Sequence, residues 1–130
     1  MRGQTTIYMP IGLLGFEHVK RYVLLSHPDE APFLWLQMLD DPSLAFLCVS
    51  PLHVSPEYQP DISPADVESL QLTKPDDALI VSIVTLHPSG QPTVNLKGPV
   101  IINRHTLIGK QVVPSNAADY ASQHPLPVAS

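Results

Sequence analysis

The sequence predicts an all-β, mainly antiparallel domain, built as a small closed or partly open β-barrel with one short helix. Residues 93–103 and 106–113 are rich in branched side chains, which suit a pleated, half-buried surface. Residues 79–86 (LIVSIVTL) form a nearly continuous apolar run and predict a central strand. Fifteen prolines in 130 residues divide the chain into short pieces and disfavour long helices. At this length we expect one domain, residues 1–130.

The N-terminal segment, residues 1–9, is short, and its TTIY run predicts one abbreviated strand. The loop that follows, residues 10–16 (PIGLLGF), carries Leu13, Leu14 and Phe16 beside two glycines. Glycine allows the backbone to turn sharply. The three apolar side chains therefore either plug one end of the barrel or form an exposed surface for a partner helix.

Three strands follow in the next part of the chain. Arg21–Ser26 predicts a strand, and residues 33–39 and 44–50 predict two more, joined by a turn at residues 40–43 (DDPS). Proline fixes φ in such a turn, and the aspartates can cap its backbone amides. Apolar residues occupy both faces of this predicted hairpin, so we expect it to be covered on both sides, either by the remaining strands or by a partner.

One short helix is expected after a long connection. Residues 51–64 contain four prolines and are longer than a usual connection, which predicts a functional or partner-facing loop. Ser63 has the features of a helix N-cap, with proline at the first helical position. The helix is predicted to run to about Leu72, where residues 73–75 (TKP) stop it.

The last part of the chain predicts a turn at residues 87–92 and then a hairpin. Its two arms are residues 93–103 and 106–113, and its first arm is interrupted at Gly98-Pro99. Proline cannot donate a hydrogen bond to a sheet, so a bulge or an edge position is expected there. Residues 127–130 are expected to fray.

Charge favours a basic partner over nucleic acid. The net charge is −5, from twelve acidic and seven basic residues. Direct binding of nucleic acid needs clustered Lys and Arg, and Lys20-Arg21 is the only adjacent basic pair. An acidic surface instead steers a basic protein. We call residues 57–77 the acidic excursion, because they hold six of the twelve acids: Glu57, Asp61, Asp66, Glu68, Asp76 and Asp77.

Signatures of catalysis and of metal binding are absent from the sequence. It has no phosphate-binding glycine loop, no GxSxG and no HExxH, and Asp40-Asp41 and Asp76-Asp77 fit turn capping better than acid–base chemistry. Its single cysteine, Cys48, lies in an apolar run (LAFLCVS) and is interpreted as a small buried hydrophobe. The six histidines are scattered, so no metal site is expected. We expect no enzyme and no cofactor.

No signal peptide, lipidation motif or long apolar span is visible in the sequence. We therefore expect a cytoplasmic protein without a membrane partner.

Five blocks of sequence resemble the flagellar assembly factor FliW family, in the same order and at similar spacing. They are GLLGFE (residues 12–17), FLWLQMLDDPSLAF (33–46), LIVSIVTLHPSGQPTVNLKGP continuing into NLKGPVIIN (79–103), GKQVV (109–113) and HPL (124–126). FliW-like chains usually carry a longer N-terminal strand pair. The short start of this chain therefore leaves the cover of one sheet edge open, and an uncovered edge can pair with another chain.

The resemblance implies a monomeric cytoplasmic adaptor. FliW-like proteins bind the C-terminal region of flagellin and also the RNA-binding translational repressor CsrA. The two partners compete for the adaptor. Export of flagellin therefore frees the adaptor to restrain CsrA, and flagellin translation resumes.

Candidate partner-binding residues fall into three groups. An amphipathic flagellin helix needs an apolar groove, for which Leu13, Leu14, Phe16 and the exposed side of residues 33–46 are candidates. The acidic excursion would steer CsrA. Three further residues are expected either to hydrogen-bond CsrA or to satisfy turns and sheet edges: Asn95, Lys97 and Asn103.

Two other functions are alternatives to the adaptor. One is a small-molecule-binding β-barrel whose cavity is lined by Trp35 and Phe46. The other is a cysteine hydrolase that uses Cys48 and a distant histidine. Its thiol would need exposure and a positive neighbourhood to ionise, whereas residues 44–50 carry no charge.

Overall fold

Nine strands and two short helices make up the fold in the residues that the structure, a computed structural model, describes: 3–88 and 90–126. The predicted fraying of residues 127–130 lies outside them. The strands are β1 (Gly3–Tyr8), β2 (Arg21–Ser26), β3 (Phe33–Met38), β4 (Ala45–Val49), β5 (Ala78–Thr85), β6 (Thr93–Val94), β7 (Val100–Asn103), β8 (Gly109–Gln111) and β9 (His124–Pro125). The helices are α1 (Pro51–Val54) and α2 (Pro64–Ser69), with 3₁₀ turns at Pro28–Glu30, Pro75–Asp77 and Ala117–Asp119.

The sheet branches at β5. Strands β1 to β5 pair in sequence order, each antiparallel to the next. The first half of β5 then pairs with β7, which pairs with β8, whereas its last two residues pair with β6, which pairs with β9. The prediction of an all-β, mainly antiparallel fold is confirmed.

Of the two predicted forms of the barrel, the structure has the partly open one. Among the described residues, a single bridge between Tyr8 and Ile108 joins the β1 edge to the start of β8. The Tyr8 N–H donates to the Leu107 carbonyl at 3.0 Å beside this bridge. No continuous ladder of hydrogen bonds closes the sheet along this seam in the described residues, so β1 remains an edge strand.

Local patterns located the strands well. Strand β1 includes the TTIY run, and β2 has its predicted bounds. Strand β3 differs from its predicted bounds by one residue at one end, and β4 and β5 differ by one residue at each end. The turn at residues 40–43 uses Asp41, whose carbonyl accepts from the Leu44 N–H at 3.0 Å and whose Oδ1 accepts from the Ser43 hydroxyl at 2.6 Å.

The hairpin predicted over residues 93–113 is half correct. Strands β7 and β8 form it, but the first arm is not continuous, because β6 ends at Val94 and β7 begins at Val100. Asn95 causes the break: its Oδ1 accepts from the backbone N–H groups of Lys97 and Gly98, both at 3.0 Å. This side-chain turn competes with the sheet ladder, so β6 and β7 reach different halves of β5.

The helical region also differs from the prediction. The prediction of a loop over residues 51–64 missed α1, a single turn that buries Pro51 and Val54. Helix α2 begins as predicted, with the Ser63 hydroxyl oxygen accepting from the Asp66 N–H at 3.1 Å. It ends before Leu72, because Gln71 has a φ of 55°, which a continuing right-handed helix cannot accommodate.

Apolar side chains form three clusters, and β5 contributes to all of them. Leu79, Val81 and Ile83 face the first cluster, inside the curl of the sheet. Val84 belongs to the second cluster and Ile80 to the third, on the other face of the strand. The prediction that residues 79–86 form a central strand is therefore confirmed by burial on both faces.

Replacing Leu36 tests the first cluster. Leu36 is fully buried there, so we expect Leu36→Ala to lower the free energy of unfolding by about 2–5 kcal/mol, through lost burial and the cavity left behind. Leu86 is exposed, and Leu86→Ala should change stability by no more than about 0.5 kcal/mol. Urea unfolding of both variants measures this. Equal losses would show that the first cluster is not the main core.

Candidate partner-binding site

The loop at residues 10–16 divides its apolar side chains between core and solvent. Leu13 is buried in the first cluster, and Phe16 packs edge-on against Phe46 with ring centroids 5.3 Å apart. Leu14 is 66% exposed. A φ of +65° at Gly12 makes this tight loop possible, since a Cβ there would lie 2.5 Å from the Phe16 carbonyl oxygen. Leu13 and Phe16 therefore plug one end of the barrel, whereas Leu14 is part of an exposed surface. The buried Leu13 cannot contact a partner directly in this conformation.

Two of the six carboxylates in the acidic excursion are used within the chain. Asp66 Oδ1 lies 2.5 Å from Lys110 Nζ, and this half-buried ion pair joins α2 to β8. Asp77 is buried. The remaining four side chains are exposed and stay candidates for a basic partner: Glu57, Asp61, Glu68 and Asp76.

Asp77 holds the end of the acidic excursion in place. Its Oδ2 accepts from the Thr73 hydroxyl at 2.6 Å and from the N–H groups of Thr73 and Lys74 at 3.0 and 3.1 Å. Its Oδ1 lies 2.9 Å from His105 Nε2. The hydrogen bonds from Thr73, followed by those from His105 and Lys74, hold the pKa of Asp77 well below its usual range, against a smaller opposing effect of burial. The prediction of a partner contact is wrong for Asp77, which is 3% exposed.

Asn103 is also committed to the fold. It is 2% exposed, and its Nδ2 donates to the carbonyl oxygens of Leu70 and Gln71 at 2.8 and 3.3 Å. Its Oδ1 accepts from the N–H groups of His105 and Thr106 at 2.8 and 3.2 Å. Asn103 therefore ties the end of α2 to the β7–β8 turn, and the alternative of turn satisfaction is the correct one for it.

The other two residues of that group lie closer to the surface. Asn95 is half-buried and forms the turn after β6, and Lys97 is exposed on that turn. A partner contact at Lys97 stays a prediction.

The structure also contains a groove that the sequence analysis missed, which we call the β5 groove. Its first lobe has a volume of about 440 Å³ and its second about 370 Å³, and both lobes are lined by Pro60, Pro75, Ala78 and Ile80. Further residues of the first lobe include Ile62, Val67, Leu72 and Lys74. Further residues of the second include Leu34, Pro51, Leu52, Tyr58 and Arg104.

Sequence offered little signal for this groove. Ile62, Val67 and Leu72 are spaced five residues apart, which matches neither a helical nor a strand period. Their common surface arises only when the acidic excursion folds back over the outer face of β5.

Cys48 does not have the surroundings of a nucleophile. It is fully buried, and its thiol lies 3.6 Å from the Phe46 carbonyl oxygen. Burial raises the pKa of this thiol to about 12, so it stays protonated near neutral pH. The hydrolase alternative therefore lacks its thiolate.

Trp35 and Phe46 do not form the cavity that the small-molecule alternative requires. Trp35 pairs with Leu47 across β3 and β4, whereas Phe46 pairs with Leu36 on the opposite face. Trp35 and Phe46 consequently do not line one cavity. Within residues 3–88 and 90–126, no group of three or more His, Cys, Asp or Glu side chains is arranged to hold a metal ion.

Comparisons with known proteins agree on one family. The sequence profile described as "FliW protein" matches residues 1–126. A flagellar assembly factor FliW from Natranaerobius thermophilus is 38% identical over 122 residues, which cover 92% of this chain and 80% of that protein. The protein of the same name from Geotalea uraniireducens is 37% identical over 120 residues, covering 92% and 72%.

A solved structure extends the similarity to the fold. The crystal structure of the flagellar assembly factor FliW superposes with a TM-score of 0.83 at 32% identity, covering 95% of this chain and 86% of that one. In the described part of the chain, no helix has the length and apolar character needed to cross a membrane.

Acid unfolding tests the role of Asp77. Because its pKa lies below the ordinary value of 3.8 in the folded state, ionised Asp77 stabilises the fold above that value, and the contribution is lost as the pH falls further. We expect Asp77→Asn to be less stable than wild type at neutral pH and to lose less stability on acidification below about pH 4. The exposed neighbour supplies the control, Asp76→Asn. Identical pH profiles for Asp77→Asn and wild type would contradict this role.

Thiol labelling tests the state of Cys48. We expect Cys48 to react slowly with Ellman's reagent in the native protein and fast in guanidinium chloride, because the native thiol is buried and protonated. A Thr85→Cys variant, at an exposed position, should add one fast-reacting thiol. Fast native labelling of wild type would revive the hydrolase alternative.

Proposed function

The chain belongs to the FliW family of flagellar assembly factors, and we propose that it works in the cytoplasm as an adaptor that binds two proteins. One partner is the C-terminal region of flagellin and the other is the translational repressor CsrA. Flagellin that accumulates occupies the adaptor. When flagellin is exported, the adaptor becomes free and restrains CsrA. The single observation that carries the proposal is the match of the family over residues 1–126.

Electrostatics supports the CsrA half of the proposal. Four exposed carboxylates remain in the acidic excursion after the fold has used Asp66 and Asp77, and the whole chain carries a charge of −5. Complementary charge raises the rate at which a basic partner arrives more than it raises final affinity. The exposed acids therefore act in the encounter with CsrA.

Exposed apolar surface supports the flagellin half. An amphipathic helix buries its apolar face in a groove, and this chain offers two candidates. The loop at residues 10–16 exposes Leu14 and Ile11, and the β5 groove lies on the other side of α2. Either surface would shield the helix before export.

Direct binding measurements test the proposed function. We expect the protein to bind a synthetic peptide of the flagellin C-terminus and, separately, purified CsrA, with each partner displacing the other. Isothermal titration measures the two affinities and the displacement. Failure to bind both partners would end the proposal, and binding of both without displacement would remove the switch from it.

Charge reversal tests the steering. Because the exposed acids act at long range, we expect Glu68→Lys/Asp76→Lys to slow association with CsrA about tenfold, and added salt to slow association with the wild type. Asp29→Lys/Glu30→Lys makes the same change of charge outside the acidic excursion and should have a smaller effect. Stopped-flow rates that are insensitive to salt would exclude steering.

A further inference from the structure

We propose that the β5 groove, rather than the loop at residues 10–16, holds the helical partner segment, and that this segment presents aliphatic side chains flanked by a carboxylate. The inference rests on the proposed function and assigns one of its two partners to a site.

Size separates the two candidate surfaces. The lobes of the β5 groove measure about 440 and 370 Å³, within the range of roughly 300–1,000 Å³ that is usual for ligand sites. The depression beside Ile11 measures about 90 Å³, which is too small for the aliphatic side chains of even two helical turns. The β5 groove is therefore the one that can enclose an apolar helix face.

The walls of the groove are rigid. Pro60 and Pro75 line both lobes, and the floor is Ala78 and Ile80, in the part of β5 that pairs with β7. Proline fixes φ, and a strand within a sheet moves little. A site that is already formed loses less conformational freedom on binding, so more of the contact energy becomes affinity.

The charges that line the groove are positive, although the chain is acidic. Lys74 lines the first lobe and Arg104 the second, and no carboxylate lines either of them. Neither cation forms an ion pair with a residue that the structure describes, in contrast to Arg21 and Lys110. Lys74 and Arg104 are themselves exposed, so they can reach a segment that lies in the groove, whereas the exposed acids of the excursion do not line it.

Arg104 and Lys74 therefore favour a segment that carries a carboxylate beside its apolar face. Arg binds a carboxylate with paired hydrogen bonds and Lys as a point charge. The basic partner that the acidic excursion attracts would be repelled at these two positions. The positive charges that line the groove therefore favour the helical segment as its occupant over the basic regulator.

Two pairs of variants test the assignment against the flagellin C-terminal peptide. Leu52 lines the second lobe and is 56% exposed, whereas Leu86 is 65% exposed and does not line it. We expect Leu52→Glu to raise the Kd of the peptide at least tenfold and Leu86→Glu to leave it unchanged. Lys74→Glu/Arg104→Glu should also raise it at least tenfold, unlike Lys20→Glu/Arg21→Glu, which makes the same change of net charge at residues that do not line the groove.

The outcomes separate this inference from the proposed function. If wild type binds the peptide and the groove variants bind it equally well, or if Leu14→Glu alone abolishes binding, the groove assignment is wrong and the adaptor function stands. If wild type binds neither the peptide nor CsrA, both fail. Circular dichroism checks that each variant is folded. In a separate experiment, a photo-crosslinking residue at position 52 of the otherwise wild-type protein should form a crosslink to the peptide. Absence of that crosslink would also overturn the assignment.

Discussion

The buried hydrogen bonds of Asn103 and Asp77 fix the acidic excursion on the sheet, and the shape of the outer surface depends on them. Asn103 binds the carbonyls at the end of α2, and Asp77 binds the amides of Thr73 and Lys74. Thr73 and Lys74 also line the first lobe of the β5 groove. A buried polar group without a partner costs about 1–3 kcal/mol, so each of these contacts opposes any movement of the excursion away from β5. The buried hydrogen bonds of Asn103 and Asp77 thereby determine both the path of the chain and the depth of the groove.

The position of β5 explains why a groove forms at this place. A strand buried on both faces needs cover on its outer side, and Ile80 receives that cover from the excursion. The excursion contains three proline residues, Pro60, Pro64 and Pro75, which keep it from forming a long helix that would fill the space. Cover by a short helix and extended proline-rich segments leaves the outer face incompletely filled, and the two lobes are the result.

Local patterns predicted most of the strands and little of the site. The strand at residues 21–26 and the N-cap at Ser63 follow from neighbouring residues alone, so pattern and structure agree. For Asn103 and Asp77 the sequence leaves both a partner contact and a role in a turn open, because nothing local shows that each also has a partner about 30 residues away in sequence. The break after β6 was assigned to Gly98-Pro99, although Asn95 makes the turn. In each case a long-range contact or a side-chain hydrogen bond, which the local pattern does not show, determined the outcome.

The two proposed partners would use opposite charges on the same excursion. The exposed acids Glu57, Asp61, Glu68 and Asp76 face solvent, whereas Lys74 lines the groove. Exposed charge acts mainly on encounter, and a charge that becomes buried on binding acts mainly on dissociation. A basic regulator docked on the acids would cover Pro60 and Pro75, because these prolines lie beside Asp61 and Asp76 in the chain. A helix in the groove would need the same edges, so competition between the partners would follow from steric overlap, without a change of conformation in the adaptor.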